Sequence, residues 1–234
     1  MSEISKTADK AIALLVELAE EGMATPQKLA ARVKMNRTVV QRLLTTLVGR
    51  GFVTRVDGEY AVSPRLRRLA AAVQPELRRA AAPHAAALSA KTHETVVVQV
   101  LDGDTAVVIA EIVQPSSIAL QARHTVGSRS PLTLSASGLA ILAALDARDT
   151  ERILRSADDE DGTLARRLEH IRQTGVATTS DELQEGVSGI AVALRREGVV
   201  GSLAILAPTF RAGDLEKHQP HLIRAAARIE RSLA

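Results

Sequence analysis

The chain has 234 residues, 46% hydrophobic and 24% charged, enough for one large or two modest domains with a buried core. It contains no cysteine, which excludes disulfide frameworks, thiolate zinc sites and cysteine nucleophiles. The net charge of +3 is unevenly spread: residues 1–79 hold 14 Lys/Arg against 8 Asp/Glu, the remaining 155 hold 16 against 19, so a polyanion would meet the front of the chain.

The opening MSEISKTADKA has no apolar core of a signal peptide, and no apolar run approaches the roughly 18 residues of a membrane span. A cytoplasmic protein without membrane contact is expected. With aromatics at 1%, single-strand binding by base stacking has little to work with.

Ser5 to Glu21 is predicted as a first helix, with Ala8, Ile12, Leu15, Leu18 and Ala19 inward and Gly22 as its stop. Thr25-Pro26 caps a second helix to about Val33, packed through Leu29, Ala30 and Val33. Lys34, Met35 and Asn36 form a turn of the length found in a helix-turn-helix. Asn36 to Gly51 is then a third helix with two unlike faces: Val40, Leu43, Leu44 and Leu47 repeat at helical spacing, while Arg37, Thr38, Val39, Gln41, Arg42 and Thr45 point elsewhere. The front of that second face offers guanidiniums, a hydroxyl, an amide and a small apolar group, which suit phosphates, base edges and a thymine methyl. By itself it also fits an ordinary solvated face.

After Gly51 the period changes to two. Phe52 to Val56 and Glu59 to Val62 flank Asp57-Gly58, a pair suited to a type I′ hairpin turn. Three helices and a hairpin make a winged helix, which turns the third helix into a recognition helix and places Arg55 near the hairpin tip as a phosphate or minor-groove contact. Arg65 to about Val73 reads as a linker helix stopped at Gln74-Pro75; its Leu66, Leu69 and Val73 call for cover from the rear domain or a second copy of the chain.

From Pro83 the pattern becomes α+β. A helix through Ala90 leads to strands at Thr95 to Leu101 and Ala106 to Val113, closed by Asp102-Gly103-Asp104. Ser117 to Ala122 reads as a third strand and Gly127 to Leu134 as irregular. Ser135 or Ser137 caps a helix through Leu145, and helices follow at Arg148 to Arg155 and Gly162 to Thr174. The acidic loop Asp158 to Asp161 lacks the glycine and terminal glutamate of a calcium loop and reads as solvated. Strands at Val176 to Ser180, Gly189 to Leu194 and Val199 to Leu206 precede a last helix, Asp214 to Leu233, packed through Leu215, Leu222, Ala226 and Ile229.

No nucleophile-elbow, phosphate-loop, zinc-protease or dinucleotide motif occurs in a supporting context. The histidines at 84, 93, 124, 170, 218 and 221 are scattered, and only His218 and His221 share a helix face, without a third ligand. Ser188, between Gly186 and Gly189, has no identifiable base. An enzyme is therefore not expected, and no metal or cofactor is implied. The alternative kept open is a sensor or enzyme whose helix-turn-helix makes protein contacts.

Taken in order, TADKAIALLVELAE, VVQRLLTTLVGRGFV with EYAVSPRL, HETVVVQVLDGDTAVVIAEI, VGSRSPLTLSASGLAILA, HIRQTGVATTSDELQEGVSGIAVAL and VVGSLAILAP resemble the IclR family of bacterial transcriptional regulators over nearly the whole chain. The resemblance implies an α+β protein: a winged helix-turn-helix domain (1–63), a linker helix (64–80), and a GAF-like or PAS-like effector-binding and oligomerisation domain (81–234). It further implies a dimer or tetramer on a palindromic double-stranded operator, more often as a repressor, with a small-molecule effector shifting affinity. DNA-facing candidates are Thr25, Gln27, Arg37, Thr38, Val39, Gln41, Arg42, Arg50 and Arg55. Effector-pocket positions carry over to Leu134, Ala136, Ser137, Gly138, Thr179, Asp181, Ser188, Gly189, Ala204 and Leu206, with backbone N–H groups at residues 136–138 suited to an oxygen.

This chain departs from the family pattern at several of these positions. Leu139 stands at the common lysine, Gly189 at a frequent cysteine, and Ala204 and Leu206 at serines of the last strand. A buried ligand oxygen left unpaired costs roughly 1–3 kcal/mol, so a pocket stripped of donors implies an effector more apolar than a two- or three-carbon acid. In the third helix Asn36, Thr38, Val39 and Gln41 replace the family's usual proline, serine, threonine and histidine or tyrosine, which implies an operator sequence of its own.

Overall fold

A computed structural model describes residues 4–113, 125–157, 159, 161–196 and 198–233. Tertiary contacts divide the chain into two compact units, Met1–Val73 and Gln74–Ala234. The strand expected at 117–122 lies outside the described residues.

The first unit holds α1 (Lys6–Glu20), α2 (Pro26–Arg32), α3 (Arg37–Gly49), the hairpin β1 (Val53–Val56) and β2 (Glu59–Val62), and α4 (Arg65–Ala71). Each of the first three helices starts on a side-chain cap: Ser5, Thr25 and Asn36 accept from the backbone N–H groups of Ala8, Lys28 and Thr38, satisfying donors that a helix start leaves free. Asp57 and Gly58 both take positive φ, 49° and 86°, the geometry that lets a two-residue turn follow the strand twist. Backbone bonds between Ala24 and Tyr60, 3.0 and 2.9 Å, add a third short rung to the hairpin and fix the wing to the loop before α2.

Val40, Leu43, Leu44 and Leu47 are buried with Leu14, Leu18, Leu29, Val53 and Tyr60 in one core. A buried leucine contributes about 1.5–3 kcal/mol, so this stripe anchors α3 firmly. The inward face of α1 differs from expectation. Leu14 and Leu18 are buried with Ala11 and Leu15 packed beside them, whereas Ala8 and Ala19 are exposed and Ile12 is 59% exposed. Val16, one turn on, is also exposed. The helix is apolar on two sides, and periodicity cannot say which side meets the core.

The second unit is built on α5 (Pro75–Thr92), β3 (Thr95–Asp102), β4 (Thr105–Ile112), β5 (Arg129–Pro131), α6 (Ala136–Ala144), α7 (Ala147–Ser156), α8 (Thr163–Thr174), β6 (Ala177–Ser180), β7 (Val187–Arg196), β8 (Val199–Pro208), a 3-10 turn (Thr209–Asp214) and α9 (Leu215–Ser232). The strands form one antiparallel sheet in the order β5-β4-β3-β8-β7-β6. Two expectations are corrected here. The helix placed from Pro83 begins at Pro75, whose missing N–H costs nothing at a first helical position, and Pro83 lies inside it. The segment read as irregular contributes β5, paired with residues 105–107 of β4.

Alternation along the strands separates two cores. Val96, Val98, Val100, Ile190, Val192, Leu194, Leu203 and Ile205 face α5 and α9. Val97, Ala191, Ala204 and Leu206 face α6, whose residues 136–143 are all buried, with α8 behind it. Leu215, Leu222, Ala226 and Ile229 are buried in α9 as the sequence suggests. Glu94, 7% exposed, receives Nε and Nη2 of Arg211 at 2.7 and 2.9 Å, a two-pronged ion pair that ties the start of β3 to the 3-10 turn. Among the described residues no helix is long and apolar enough to cross a membrane. Asp159 and Asp161 accept from backbone N–H groups of residues 163–165, so these two carboxylates cap α8.

Candidate nucleic-acid interface and ligand cleft

Burial of its apolar stripe leaves the other face of α3 exposed. Arg37 and Thr38 sit in its first turn and Arg42 one turn later, all exposed, and neither guanidinium bonds another described residue. Arg37 also sits beside the helix start, whose backbone N–H groups carry partial positive charge. Val39 is half-buried against the core. Gln41 behaves differently, because its Nε2 donates to the Tyr60 hydroxyl at 3.2 Å and so is steered toward the wing.

The remaining candidates surround this face. Thr25 spends its hydroxyl as the α2 cap, while Gln27 beside it is exposed. The Arg55 guanidinium lies 5.8 Å from the Tyr60 ring centre, within cation–π range, which gives that long side chain of β1 a resting place on β2. Arg50 is exposed, and its carbonyl accepts from Arg65 Nη1 at 2.7 Å, so the end of α3 is tied to α4. The unit thus presents a helix with free cationic groups at its start, flanked by a wing that carries Arg55.

In the second unit, a narrow cleft of about 20 Å³ lies where α6 begins above the sheet. Of the ten positions carried over from the resemblance, Ala136, Ser137, Thr179, Gly189 and Leu206 line it. Val97, Gln99, Ser135, Leu183, Gln184 and Val187 line it too and were not foreseen. The other five lie elsewhere. Leu134 is 43% exposed and Ala204 fully buried. Gly138 packs so tightly that a Cβ there would meet the Pro131 carbonyl oxygen at 2.7 Å, which explains a glycine in the first turn of this helix.

Asp181 and Ser188 belong to a separate polar cluster. Asp181 Oδ1 accepts from Gly186 N at 2.7 Å and Thr209 Oγ1 at 2.8 Å, and its Oδ2 from Ser180 Oγ at 3.2 Å. The Ser188 hydroxyl is 2.8 Å from Ser180 Oγ and 3.1 Å from Thr209 Oγ1. Neighbouring residues of a strand face opposite ways, so Gly189 opens toward the cleft and Ser188 away from it.

The hydrogen bond from Thr209, and next that from Gly186, hold the Asp181 carboxyl below its ordinary pKa. A depressed carboxylate adds stability above the unfolded value of about 3.9 and loses it as pH falls through the folded value. Protection of the Gly186 amide hydrogen, measured against its intrinsic exchange rate, should therefore hold at neutral pH and be lost only as pH falls through the depressed value of Asp181, and Asp181→Ala should lower it throughout; equal protection in both chains would contradict this role.

The start of α6 has less to offer a ligand than three free donors. Ala136 N donates to Thr179 Oγ1 at 3.2 Å and Gly138 N to Ser135 Oγ at 3.0 Å. Ser137 N is left without a partner among the described residues, inside the cleft and at the positive end of the helix dipole. Val97, Leu183, Val187 and Leu206 supply the apolar part of the lining, beside the polar Gln99, Ser135, Thr179 and Gln184. A wider groove of about 460 Å³ between α5 and α9 is lined by His84, Lys91, His221, Arg224 and Arg228 among others, but it is open and includes none of the carried-over positions.

Comparison with known proteins covers both units of the chain. The model of the IclR helix-turn-helix domain matches residues 7–57, and that of the bacterial transcriptional regulator IclR C-terminal domain matches residues 69–231. The chain is 32% identical over 192 residues to the HTH-type transcriptional regulator Rv1719 of Mycobacterium tuberculosis, covering 78% of this chain and 73% of that one. It is 31% identical over 226 residues to the regulator KdgR of Dickeya chrysanthemi, covering 90% and 73%. Among solved structures, an IclR homologue from Microbacterium hydrocarbonoxydans complexed with 4-hydroxybenzoate superposes with a TM-score of 0.80 at 25% identity, covering 95% and 98%.

Proposed function

The chain belongs to the IclR family of transcriptional regulators, and on that premise we propose that it is a repressor whose grip on a palindromic operator is set by a mostly apolar effector. It is a regulator with a helix-turn-helix DNA-binding domain and a ligand-binding C-terminal domain, not an enzyme. In this reading residues 1–63 bind DNA, 64–80 connect, and 81–234 bind the effector and assemble the oligomer.

The observation that carries the reading is the start of α3, where Arg37, Thr38 and Arg42 stand exposed on a helix whose opposite stripe is locked into the core. Thr25, Gln27, Val39, Gln41, Arg50 and Arg55 complete the proposed DNA face. The apolar part of the cleft lining, and the 4-hydroxybenzoate bound by the Microbacterium relative, support an effector less polar than a short acid. The exposed Ile12 and Val16 of α1, one helical turn apart, support a second copy of the chain covering them. Occupation of promoter DNA by such an oligomer blocks transcription without a further partner. Effector control then needs only that the ligand prefer one of two states of unequal DNA affinity.

Selection of bound fragments from the source genome tests this. The expected result is an inverted repeat with half-sites about one helical turn or a multiple apart, recovered by a protein that sediments as a dimer or tetramer, with a neighbouring transcript that rises when the protein is removed. Asymmetric or unenriched fragments would count against it.

A further inference from the structure

We propose that the groove between α5 and α9 is a second ligand site, apart from the cleft beneath α6, and that it takes a small phosphate-bearing anion of two or more charges.

The two helices run side by side in opposite directions. Glu76 and Arg79 of α5 lie with Ser232 and Leu233 of α9, and further along α5 His84 and Lys91 lie with His221 and Arg228. The groove there measures about 460 Å³, within the range of small-molecule sites. Leu88 and Ala225, 4% and 8% exposed, form its floor. Around that floor stand five basic side chains, His84 and Lys91 from α5 and His221, Arg224 and Arg228 from α9. The three on α9 follow one another at i, i+3 and i+7 and share a helix face, while Lys91 lies two turns beyond His84, about 10 Å along α5.

Among the described residues no carboxylate lines this groove. Glu76 and Glu216 sit in the first turns of α5 and α9, and Glu230 accepts from Arg195 N at 2.8 Å. Lys91 and Arg228 make no bond to another described side chain. Arg224 turns to a base and not to an acid: its Nη2 donates to His221 Nδ1 at 2.6 Å. A guanidinium has only donors, so that nitrogen carries no proton and the ring is neutral. Burial first, then Lys91, Arg224 and His218, push the His221 pKa down, and no carboxylate acts on it in the other direction. The fold thus holds like charges together at a cost, which an anion relieves.

The shape and the charge select the occupant. A second copy meeting this face with its own equivalent would set five basic groups against five. A duplex is too wide to enter a channel between packed helices, whose axes lie about 8–10 Å apart. A small phosphate-bearing molecule enters it, meets guanidinium forks that match its oxygens in two prongs, and rests its uncharged part on Leu88 and Ala225.

The test uses the full chain, with pyrophosphate and inorganic phosphate as probes, titrated by calorimetry at an ionic strength fixed with sodium chloride. Pyrophosphate should bind once per chain and about 10-fold or more tightly than inorganic phosphate, since it adds charge-assisted hydrogen bonds. Lys91→Gln and Arg228→Gln should each weaken it about 10-fold or more, and the unliganded variants should melt at or above the wild-type temperature because a like-charge neighbour is gone. Arg37→Ala with Arg42→Ala, on the DNA face, should leave pyrophosphate binding unchanged. In the unaltered chain the His221 ring, followed by NMR, should titrate at higher pH with pyrophosphate bound.

Pyrophosphate binding that survives Lys91→Gln with Arg228→Gln, or that leaves the His221 titration unmoved, would overturn the groove as its site. Binding no tighter than that of inorganic phosphate would overturn the ligand class. Loss of operator binding in the Lys91→Gln, Arg228→Gln chain would assign the groove to DNA, and a changed sedimentation would assign it to subunit contact; either would overturn the proposal.

Discussion

An Arg37→Ala, Arg42→Ala double variant should bind operator DNA about 100-fold more weakly than the unaltered chain, with each lost contact worth roughly 1–3 kcal/mol. The dependence of log affinity on log salt should become shallower by about 2 for each recognition helix, one unit per phosphate contact removed. Helical content and melting temperature should not change, since both side chains are exposed and make no side-chain bond to another described residue. The stripe Val40, Leu43, Leu44 and Leu47 that holds α3 in place is untouched. Gln41→Ala is a different kind of change, because it removes the Gln41 bond to Tyr60 and so alters the relation of helix and wing. An unchanged salt slope in the double variant would mean that α3 does not meet the phosphates.

The second large effect is expected at Gly189. A Cβ built there meets Leu206 Cδ2 at 3.1 Å, Ala136 Cβ at 3.4 Å and Thr179 Oγ1 at 3.6 Å. The first of these is the end of a flexible side chain and can give way. Gly189 needs no left-handed backbone, and it lies within β7, so a leucine there is compatible with the strand and costs typically about 1–3 kcal/mol of overpacking. It fills the cleft. Gly189→Leu should therefore keep the operator affinity of the wild type and lose the response to effector, whose coupling in such systems is typically about 5- to 150-fold. Loss of DNA binding in this variant would place Gly189 in the architecture and not in the ligand site.

Much of the first unit was legible in the sequence because each of its elements announces itself locally. The Thr25-Pro26 cap, the Asp57-Gly58 turn and the 3.6-residue stripe of α3 need no distant partner to be recognised. The face of α1 was not legible, since Ile12 and Val16 extend its apolar surface beyond the side that Leu14 and Leu18 bury. Pro83 reads as a helix start only until Pro75 is seen to take that position.

The cleft was half-legible. Ala136 and Ser137 come from the family resemblance, but Gln99 sits in an apolar run, and nothing local says that its face of β3 meets α6 while Val98 and Val100 face the opposite core with α5 and α9. That depends on sheet order, which places β3 beside β8 over a sequence separation of about a hundred residues. The same reasoning separates Ser188 from Gly189, adjacent in sequence and opposite in space. Asp181 carries a functional-looking carboxylate, yet Thr209, Gly186 and Ser180 already use it.

Coupling between a DNA site in the first unit and a ligand site in the second has a direct test in linkage. Effector affinity is to be measured by calorimetry on the free protein and on the protein saturated with its selected operator. The account predicts two different values, whose ratio equals the ratio of operator affinities without and with effector and collapses to one in Gly189→Leu. Equal effector affinity for the free and the DNA-bound wild-type protein would contradict it.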